Sequence, residues 1–236
     1  MSSVTAIPIA SLLLGFVPVL LLIVIMRAWG LNALQAMYAN IRMLVQLLLI
    51  GYVLTYIFET DEPVLVVLVV IFMIAMSSWI ALRPLTDRGI KPYTVVAIAI
   101  GVSGLGVLML VTQIILELPR WYEPRFVIPL AGMVFANSMN TISLAGERFH
   151  AERGRGEDYL SARRLAMEAA MIPQVNALLA VGLVSLPGMM TGQILSGVEP
   201  LIAARYQIMV MCMIFSTAGI AAVIYMALKK NSATDS

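Results

Sequence analysis

The sequence contains little charge, since only 12% of its 236 residues are charged and 61% are hydrophobic. Soluble domains have about 25% charged and about 45 to 50% apolar residues. With so few ionic side chains, the chain cannot cover a water-facing surface of this size, and much of that surface must face hydrocarbon. The composition therefore excludes a soluble globular protein and predicts an integral membrane protein.

Cysteine and histidine are each present only once, which excludes several kinds of chemistry. The single cysteine, Cys212, allows no intrachain disulfide, and it lies in an apolar run that is typical of a buried thiol. The single histidine, His150, lies in a charged segment away from the apolar runs, so serine catalysis with a histidine base is not predicted. The aspartates fall in predicted loops or the tail, which argues against an intramembrane aspartyl dyad.

Nucleotide and nucleic-acid motifs are also missing from the sequence. The net charge is only +2, and no long basic tract stands apart from the apolar segments, so nucleic acid is not a predicted partner. The pattern Gly-x4-Gly-Lys-Ser/Thr, which cradles phosphates, does not occur. Any energy taken from ATP by this route would have to come from a partner.

Long uncharged runs dominate the chain. A helix rises about 1.5 Å per residue and the hydrocarbon layer is about 30 Å thick, so roughly 20 residues are needed to cross it. Seven regions meet this requirement, the second of them with Arg42 near its start: 4–26, 38–58, 63–82, 94–116, 126–146, 171–198 and 206–228. We predict an all-α bundle of about seven transmembrane helices, forming a single domain over residues 1–236.

The distribution of positive charge predicts the orientation of this bundle. With the N-terminus outside, twelve of the fifteen lysine and arginine residues fall on the cytoplasmic side. Cytoplasmic loops are enriched in these residues. The sequence therefore predicts an odd number of spans, with the N-terminus outside and the C-terminus inside.

The sixth region has an irregularity that we expect to matter. It contains Pro187-Gly188, which should stop a regular helix and free backbone carbonyls. Glycines in the fourth region, at Gly101, Gly104 and Gly106, predict packing seams where helices approach closely.

The segment 147–168 has ten charged residues in 22, and it is the one part of the chain suited to water. Read as a helix, it places Tyr159 and Arg163 on one face and pairs Arg164 with Glu168. One interpretation is an ordinary solvated face. The other is a cytoplasmic coupling segment between spans five and six that docks a motor protein, for which the candidate residues are Arg148, Arg153, Tyr159, Arg163, Arg164 and Glu168.

Neutral polar side chains within the spans are candidates for a translocation path. Asn137, Ser138 and Asn140 cannot all face lipid, so some should line a polar route or a subunit seam. Ordinary interhelical hydrogen bonding is the alternative for each of them. The full candidate set is Gln46, Asn137, Ser138, Asn140, Asn176, Pro187, Gly188, Met189, Met190 and Gln193.

Seventeen methionines raise the question of a soft metal site, because thioethers suit copper(I) better than hard cations. Flexible packing is the alternative for most of them. Met209, Met211 and Met213 are two residues apart, which spreads them around a helix. The pair Met189-Met190, beside the proline, is the one to test first, and no metal ligand is assigned from sequence alone.

Several longer motifs make a family resemblance specific. They are Arg42-x3-Gln46-Leu47, Ile128-Pro129-Leu130-x-Gly132-Met133-x3-Asn137-Ser138, Pro173-x2-Asn176, and the run from Gly182 to Leu195 that contains Leu-Pro-Gly-Met-Met-Thr-Gly-Gln. Together they resemble the FetB (YbbM) family of ABC-type permeases, which is implicated in bacterial iron export and has plant relatives linked to aluminium tolerance.

This resemblance implies a multi-pass permease of the bacterial inner membrane. It implies a partner ATP-binding-cassette ATPase, which would bind ATP and Mg, and a homodimer of the permease. The chain itself would be no enzyme and would hold no cofactor, and its segment 147–168 would contain the coupling element. Iron as cargo rests on the resemblance alone.

Two other functions remain open at this stage. The chain could be a stand-alone secondary carrier or channel for a cation, although Arg42 is the only ionisable residue within a predicted span, which argues against proton coupling. It could also be a membrane scaffold subunit that transports nothing.

Overall fold

The computed structural model describes residues 7–59, 62–87 and 89–234. The chain forms two compact units, Met1–Asp61 and Glu62–Ser236, which we call the N-terminal and C-terminal units. Both are built from helices, and the prediction of a helical membrane protein is confirmed.

The N-terminal unit contains three helices, α1 (Ile9–Leu14), α2 (Val17–Ala28) and α3 (Ala33–Glu59). Gly30 ends α2 in a left-handed conformation, with φ 73°, which a glycine adopts without steric cost. Asn32 then starts α3, because its side-chain oxygen accepts a hydrogen bond from the backbone N–H of Gln35 at 3.0 Å.

The C-terminal unit contains six α-helices and a π-helical turn in its described residues. They are α4 (Pro63–Ala81), α5 (Ile90–Met109), the π turn Leu110–Ile115, α6 (Pro124–Gly154), α7 (Tyr159–Ala180), α8 (Gly188–Leu195) and α9 (Pro200–Thr234). Proline starts α4, α6 and α9, where its missing N–H leaves no hydrogen bond unmade. Helix α6 lies at the centre and packs against α4, α5, α7 and α9.

Within the described residues, six helices are long and apolar enough to cross a membrane. They are Ala10–Ala28, Ala33–Phe58, Pro63–Ala81, Ile90–Ile115, Pro124–Gly154 and Pro200–Lys230. Helix α7 is not among them, and its first half carries Arg163, Arg164 and Glu168. The seven-span count and the N-outside orientation stay predictions.

The boundaries predicted for the sixth span, 171–198, are wrong. The structure places a helix over Tyr159–Ala180, followed by a turn at 181–187, the short helix α8 and a second turn at 196–199. Helix α7 runs antiparallel to α9, because Tyr159 bonds to Met226 and Leu178 lines the same cavity as Ile208. Helix α7 therefore passes through the bundle, and residues 181–199 form what we call the far-end turn.

The reason for this error lies in the two faces of α7. Ala162, Ala166 and Ala170 are buried at spacing four and pack this helix into the bundle, while Arg163 and Arg164 stay exposed on the other face. The helix then ends at Ala180 because Gly182 adopts φ 81° and Val184 N–H donates to the Ala180 carbonyl at 2.8 Å. Helix α7 thus ends before Pro187 is reached.

The segment 147–168 is not a separate loop. Residues 147–154 continue α6 without interruption, and α7 begins at Tyr159 after a short turn. Asp158 starts α7, because its carboxylate accepts a hydrogen bond from Ser161 N–H at 2.6 Å, which also lowers the pKa of Asp158. We call residues 147–168 the hairpin tip, since they close a continuous hairpin of α6 and α7.

Candidate functional site

Polar side chains connect α6 and α7 in the middle of the hairpin. Gln174 Nε2 donates to Thr141 Oγ1 at 3.1 Å and lies 3.5 Å from Asn137 Oδ1. Asn137 Nδ2 in turn donates to the Met133 carbonyl at 2.8 Å. We call Asn137, Thr141 and Gln174 the amide cluster. Gln174 and Thr141 are buried, so these groups satisfy each other within the bundle.

The other predicted path residues of the hairpin lie around the amide cluster. Ser138 is fully buried, and its Oγ has no hydrogen-bond partner among the residues that the structure describes. Asn140 on α6 and Asn176 on α7 are both exposed. The predicted polar set therefore divides into groups that hold the two helices together and amides on the surface of the C-terminal unit.

Gln46, the remaining predicted amide of the path, belongs to the N-terminal unit. On α3 its side-chain oxygen, in the orientation that satisfies both groups, accepts from Arg42 Nε at 2.9 Å and from Nη2 at 3.2 Å. The spacing i, i+4 brings the two side chains together on one helix face. Gln46 thus accepts two of the hydrogen bonds that the Arg42 guanidinium can donate.

The far-end turn holds the predicted residues from Pro187 to Gln193. Pro187 starts α8 rather than breaking a helix, and its carbonyl accepts bonds from Thr191 N–H at 3.0 Å and Thr191 Oγ1 at 3.1 Å. The break in the helix that the sequence predicts therefore lies at 181–187, and the freeing of carbonyls by the proline stays a prediction. Gly188 is exposed, and Met189 and Met190 are half-buried. Gln193 Oε1 is buried, with no hydrogen-bond partner in the described ranges.

At the opposite end of the C-terminal unit, three charged or ionisable groups from distant parts of the sequence meet. His150 Nε2 lies 2.8 Å from Asp87 Oδ2, and Lys229 Nζ lies 3.2 Å from the same oxygen and 2.7 Å from His150 Nε2. His150 Nδ1 lies 2.7 Å from the Gly146 carbonyl oxygen. We call Asp87, His150 and Lys229 the charged cluster.

The charged cluster joins the α4–α5 loop to the ends of α6 and α9. The hydrogen bond from His150 lowers the pKa of Asp87; partial burial opposes this shift, and Lys229 adds to it. Lys229 also lies over the ring of Phe149, 5.5 Å from its centroid. The ionised carboxylate therefore fixes two helix ends and a loop relative to one another.

Tyr159 holds the start of α7 against the same region. Its hydroxyl donates to the Met226 carbonyl on α9 at 2.8 Å, and its ring stands edge-on to Phe149 of α6, with 5.8 Å between centroids. Arg163 lies over the Tyr159 ring at 5.7 Å. The sequence places Tyr159 among the docking candidates, and the structure shows it tying three helices together.

The hairpin tip contains a buried carboxylate that the sequence analysis does not single out. Glu152 is only 4% exposed, and Arg148 and Arg155 reach it at 2.6 and 2.8 Å. Their spacings, i−4 and i+3, place all three on one face of the α6 terminus. Arg148 therefore lies in an internal ion network at the tip.

The remaining docking candidates lie on the surface of the tip. Arg153 is exposed, with one guanidinium N–H donating to the Glu157 carbonyl at 2.8 Å. Arg163 and Arg164 are exposed on α7, and Arg164 lies 3.9 Å from Glu168 in the pair that the sequence predicts. Such an exposed ion pair stabilises little, so Arg164 and Glu168 lose little free energy when they separate.

The sequence did not single out Thr141, Gln174 or Glu152 as site residues, and it did not predict that the three members of the charged cluster meet. Each contact joins residues that are far apart in the chain or are chemically ordinary for their segment. Among the described residues there is also no group of three or more histidine, cysteine, aspartate and glutamate side chains that could hold a metal ion.

The chain is similar to several membrane proteins over most of its length. It is 36% identical to "UPF0014 membrane protein slr1647" of Synechocystis, over 83% of this chain and 82% of that protein. It is 35% identical to "Probable iron export permease protein FetB" of Escherichia coli, over 78% of this chain and 75% of that protein. To "Protein ALUMINUM SENSITIVE 3" of Arabidopsis thaliana the identity is 26%, over 80% and 73%.

No solved structure matches the chain. The family model, described as "Uncharacterised protein family (UPF0014)", matches residues 9–233. The helical membrane architecture and the match across nearly the whole chain agree, and the chain belongs to the UPF0014 family.

Proposed function

We propose that this chain is the transmembrane permease subunit of an ABC transporter, which exports iron or a related transition metal. A partner ATPase would bind ATP and Mg and hydrolyse the nucleotide, and two copies of the permease would enclose the route in the bacterial inner membrane. The relative named as a probable iron export permease supports this proposal, as do the polytopic helical architecture and the exposed charged tip.

The observation that carries the proposal is the continuity of the α6–α7 hairpin. The hairpin tip, with its exposed arginines, and the amide cluster lie on the same two unbroken helices. From Asn137 to Glu152 the rise along α6 is roughly 22 Å at about 1.5 Å per residue. A displacement at the tip would therefore reach the amide cluster without crossing a flexible joint.

Contacts at the base of the tip extend this coupling to other helices. Tyr159 bonds to α9, and the charged cluster joins α6, α9 and the α4–α5 loop. A motor bound at the tip would thus act on several helices as one body. This is what a permease needs in order to alternate between two states under the control of a cytoplasmic subunit.

The surface amides fit a dimer around a polar route. Asn140 on α6 and Asn176 on α7 are exposed on the C-terminal unit. Placing an amide against hydrocarbon without a hydrogen bond is unfavourable, because the amide loses its hydrogen bonds to water. In the proposed assembly these side chains face the route or the second copy instead.

Co-purification tests the docking role of the tip. The tagged chain, isolated from its source cell, should carry an ATP-binding-cassette ATPase with it. Arg163→Glu combined with Arg164→Glu should reduce the bound ATPase about tenfold while membrane insertion persists, because charge reversal at an exposed contact acts on binding. Arg125→Glu, at an exposed position near the start of α6 and far from the tip, is the matched control.

Two outcomes separate the proposal from the other functions. Metal transport by the purified chain without any ATPase would support a secondary carrier or channel. Recovery of partner proteins together with an absence of metal transport would support a scaffold. If the chain with Arg163→Glu and Arg164→Glu recovers as much ATPase as the unmodified chain, docking at 147–168 is contradicted.

A further inference from the structure

A cavity of ≈ 340 Å³ lies between the end of α7, the far-end turn with its helix α8, and the first part of α9. Most of its wall is aliphatic. Four lining side chains are exceptions, because each offers a lone pair to a cation: Met190, Gln207, Met211 and Cys212. Two thioethers, one thiol and one amide thus share a single cavity wall.

Gln207 is the strongest indication that the cavity holds a ligand. Its side chain is 5% exposed, and its Oε1 has no hydrogen-bond partner within the part of the chain that the structure describes. Burying an amide oxygen without a partner costs free energy, and such groups in folded proteins call for an explanation. A bound cation would satisfy this oxygen.

The sequence positions explain how these side chains come together. Gln207 and Met211 are four residues apart on α9 and therefore share a face, with Cys212 next to Met211. Met190 comes from α8, within the far-end turn. Met209 and Met213 do not line the cavity, which confirms that the alternating methionines spread around the helix.

We propose that Met190, Met211, Cys212 and Gln207 Oε1 form a transit site for a soft or borderline transition-metal cation in a low oxidation state, such as Cu(I) or Fe(II). Thioether and thiolate sulfur bind soft cations and disfavour hard ones such as Al(III) or Mg(II). Binding through the thiolate releases the Cys212 proton to water. This inference rests on the proposed function and adds the class of cargo.

The single cysteine makes the test specific. Cys212 is the only thiol of the chain, so a maleimide reagent reports on this position alone. The structure shows this thiol exposed, and the expectation of a buried thiol is wrong. The experiment uses the full-length chain in detergent under anaerobic, reducing conditions. Ag(I), a redox-inert substitute for Cu(I), and Fe(II) are titrated against the rate of maleimide labelling, with Al(III) and Mg(II) as hard-cation comparisons.

Ag(I) and Fe(II) should both protect Cys212 from labelling in the unmodified chain, and the hard cations Al(III) and Mg(II) should not. Met190→Leu and Met211→Leu conserve side-chain volume and keep the thiol. Each should raise about tenfold the cation concentration that halves the rate of maleimide labelling. Met209→Leu is the matched control on α9. In this variant Ag(I) and Fe(II) should protect Cys212 as they do in the unmodified chain.

Protection that is unchanged in Met190→Leu and Met211→Leu would overturn the proposal, because a lone thiol would then explain the metal binding. A loss of protection in Met209→Leu equal to that in Met211→Leu would overturn it as well. The assay measures binding without ATP or transport. If the cations do not bind at this cavity but ATP-driven transport is intact, the proposed function therefore stands and the site does not. If the cations bind but ATP-driven transport is absent, the site stands and the proposed function does not.

Discussion

Two glycines in α5 should respond in opposite ways to the same substitution. A Cβ added at Gly104 would lie 2.5 Å from Phe135 Cε1 and 3.1 Å from Val134 Cγ1. Phe135 is 2% exposed and Val134 is fully buried, so neither side chain can move aside. A Cβ added at Gly106 would meet nothing within 4 Å.

These distances set the expected magnitudes. Overpacking a core costs about 1 to 3 kcal/mol, and replacing a helical glycine by alanine recovers about 0.5 to 1 kcal/mol. At the middle of both ranges, Gly104→Ala should therefore destabilise the protein by about 1 kcal/mol, which lowers the Tm by about 2 to 4 °C for a unit of this size. Gly106→Ala should raise the Tm by about 1 to 4 °C.

Thermal unfolding of the two purified variants in the same detergent measures this difference. Both changes lie in one helix and add one methyl group, so each serves as the control for the other. Equal Tm shifts, or a Gly104→Ala variant as stable as the unmodified chain, would refute the close packing of α5 on α6.

Three further predictions concern the hairpin and its base. Tyr159→Phe removes the hydrogen bond to α9 but keeps the ring, so unfolding should show a loss of about 0.5 to 1.5 kcal/mol; an unchanged stability would contradict the anchoring role. Glu152→Gln should cost about 1 to 3 kcal/mol because it removes a buried carboxylate from two arginines, whereas Glu168→Gln, at an exposed pair, should stay within about 0.5 kcal/mol. The folded pKa of Asp87 lies below its ordinary 3.8, so its contribution to stability is present above that pH and is lost as the pH falls through the folded pKa. Asp87→Asn should therefore be less stable than the unmodified chain at neutral pH, the two should converge in strong acid, and a gap that is the same at both pH values would contradict the role of His150 and its neighbours.

The sequence predicted those helices whose apolar character is independent of their surroundings. The predicted span 63–82 and the observed helix Pro63–Ala81 nearly coincide, because an uncharged run of this length has no other stable conformation in a membrane. The bounds predicted for the sixth span miss the first half of α7, because the charged residues there lie on one face of the helix while alanines on the opposite face are buried. Counting charges along the chain does not show on which face they lie.

The sites were predicted only in part for a related reason. A polar cluster at Asn137 is visible in sequence, but its partner Gln174 is one of many neutral polar residues until α6 and α7 are brought side by side. Pro187 is compatible with the end of one helix and with the start of another, and only the hydrogen bonds to Thr191 show that it starts α8. The charged cluster joins three regions that are far apart in the sequence, so no local sequence pattern predicts it.

ATP-driven metal flux tests the central claim most directly. The chain and its co-purified ATPase are reconstituted into liposomes, and the movement of Fe(II) across the membrane is followed with and without ATP. Our account predicts flux that requires ATP, the ATPase and an intact tip, and that is lost with the combined Arg163→Glu and Arg164→Glu changes. Flux that continues without ATP or without the ATPase would contradict it.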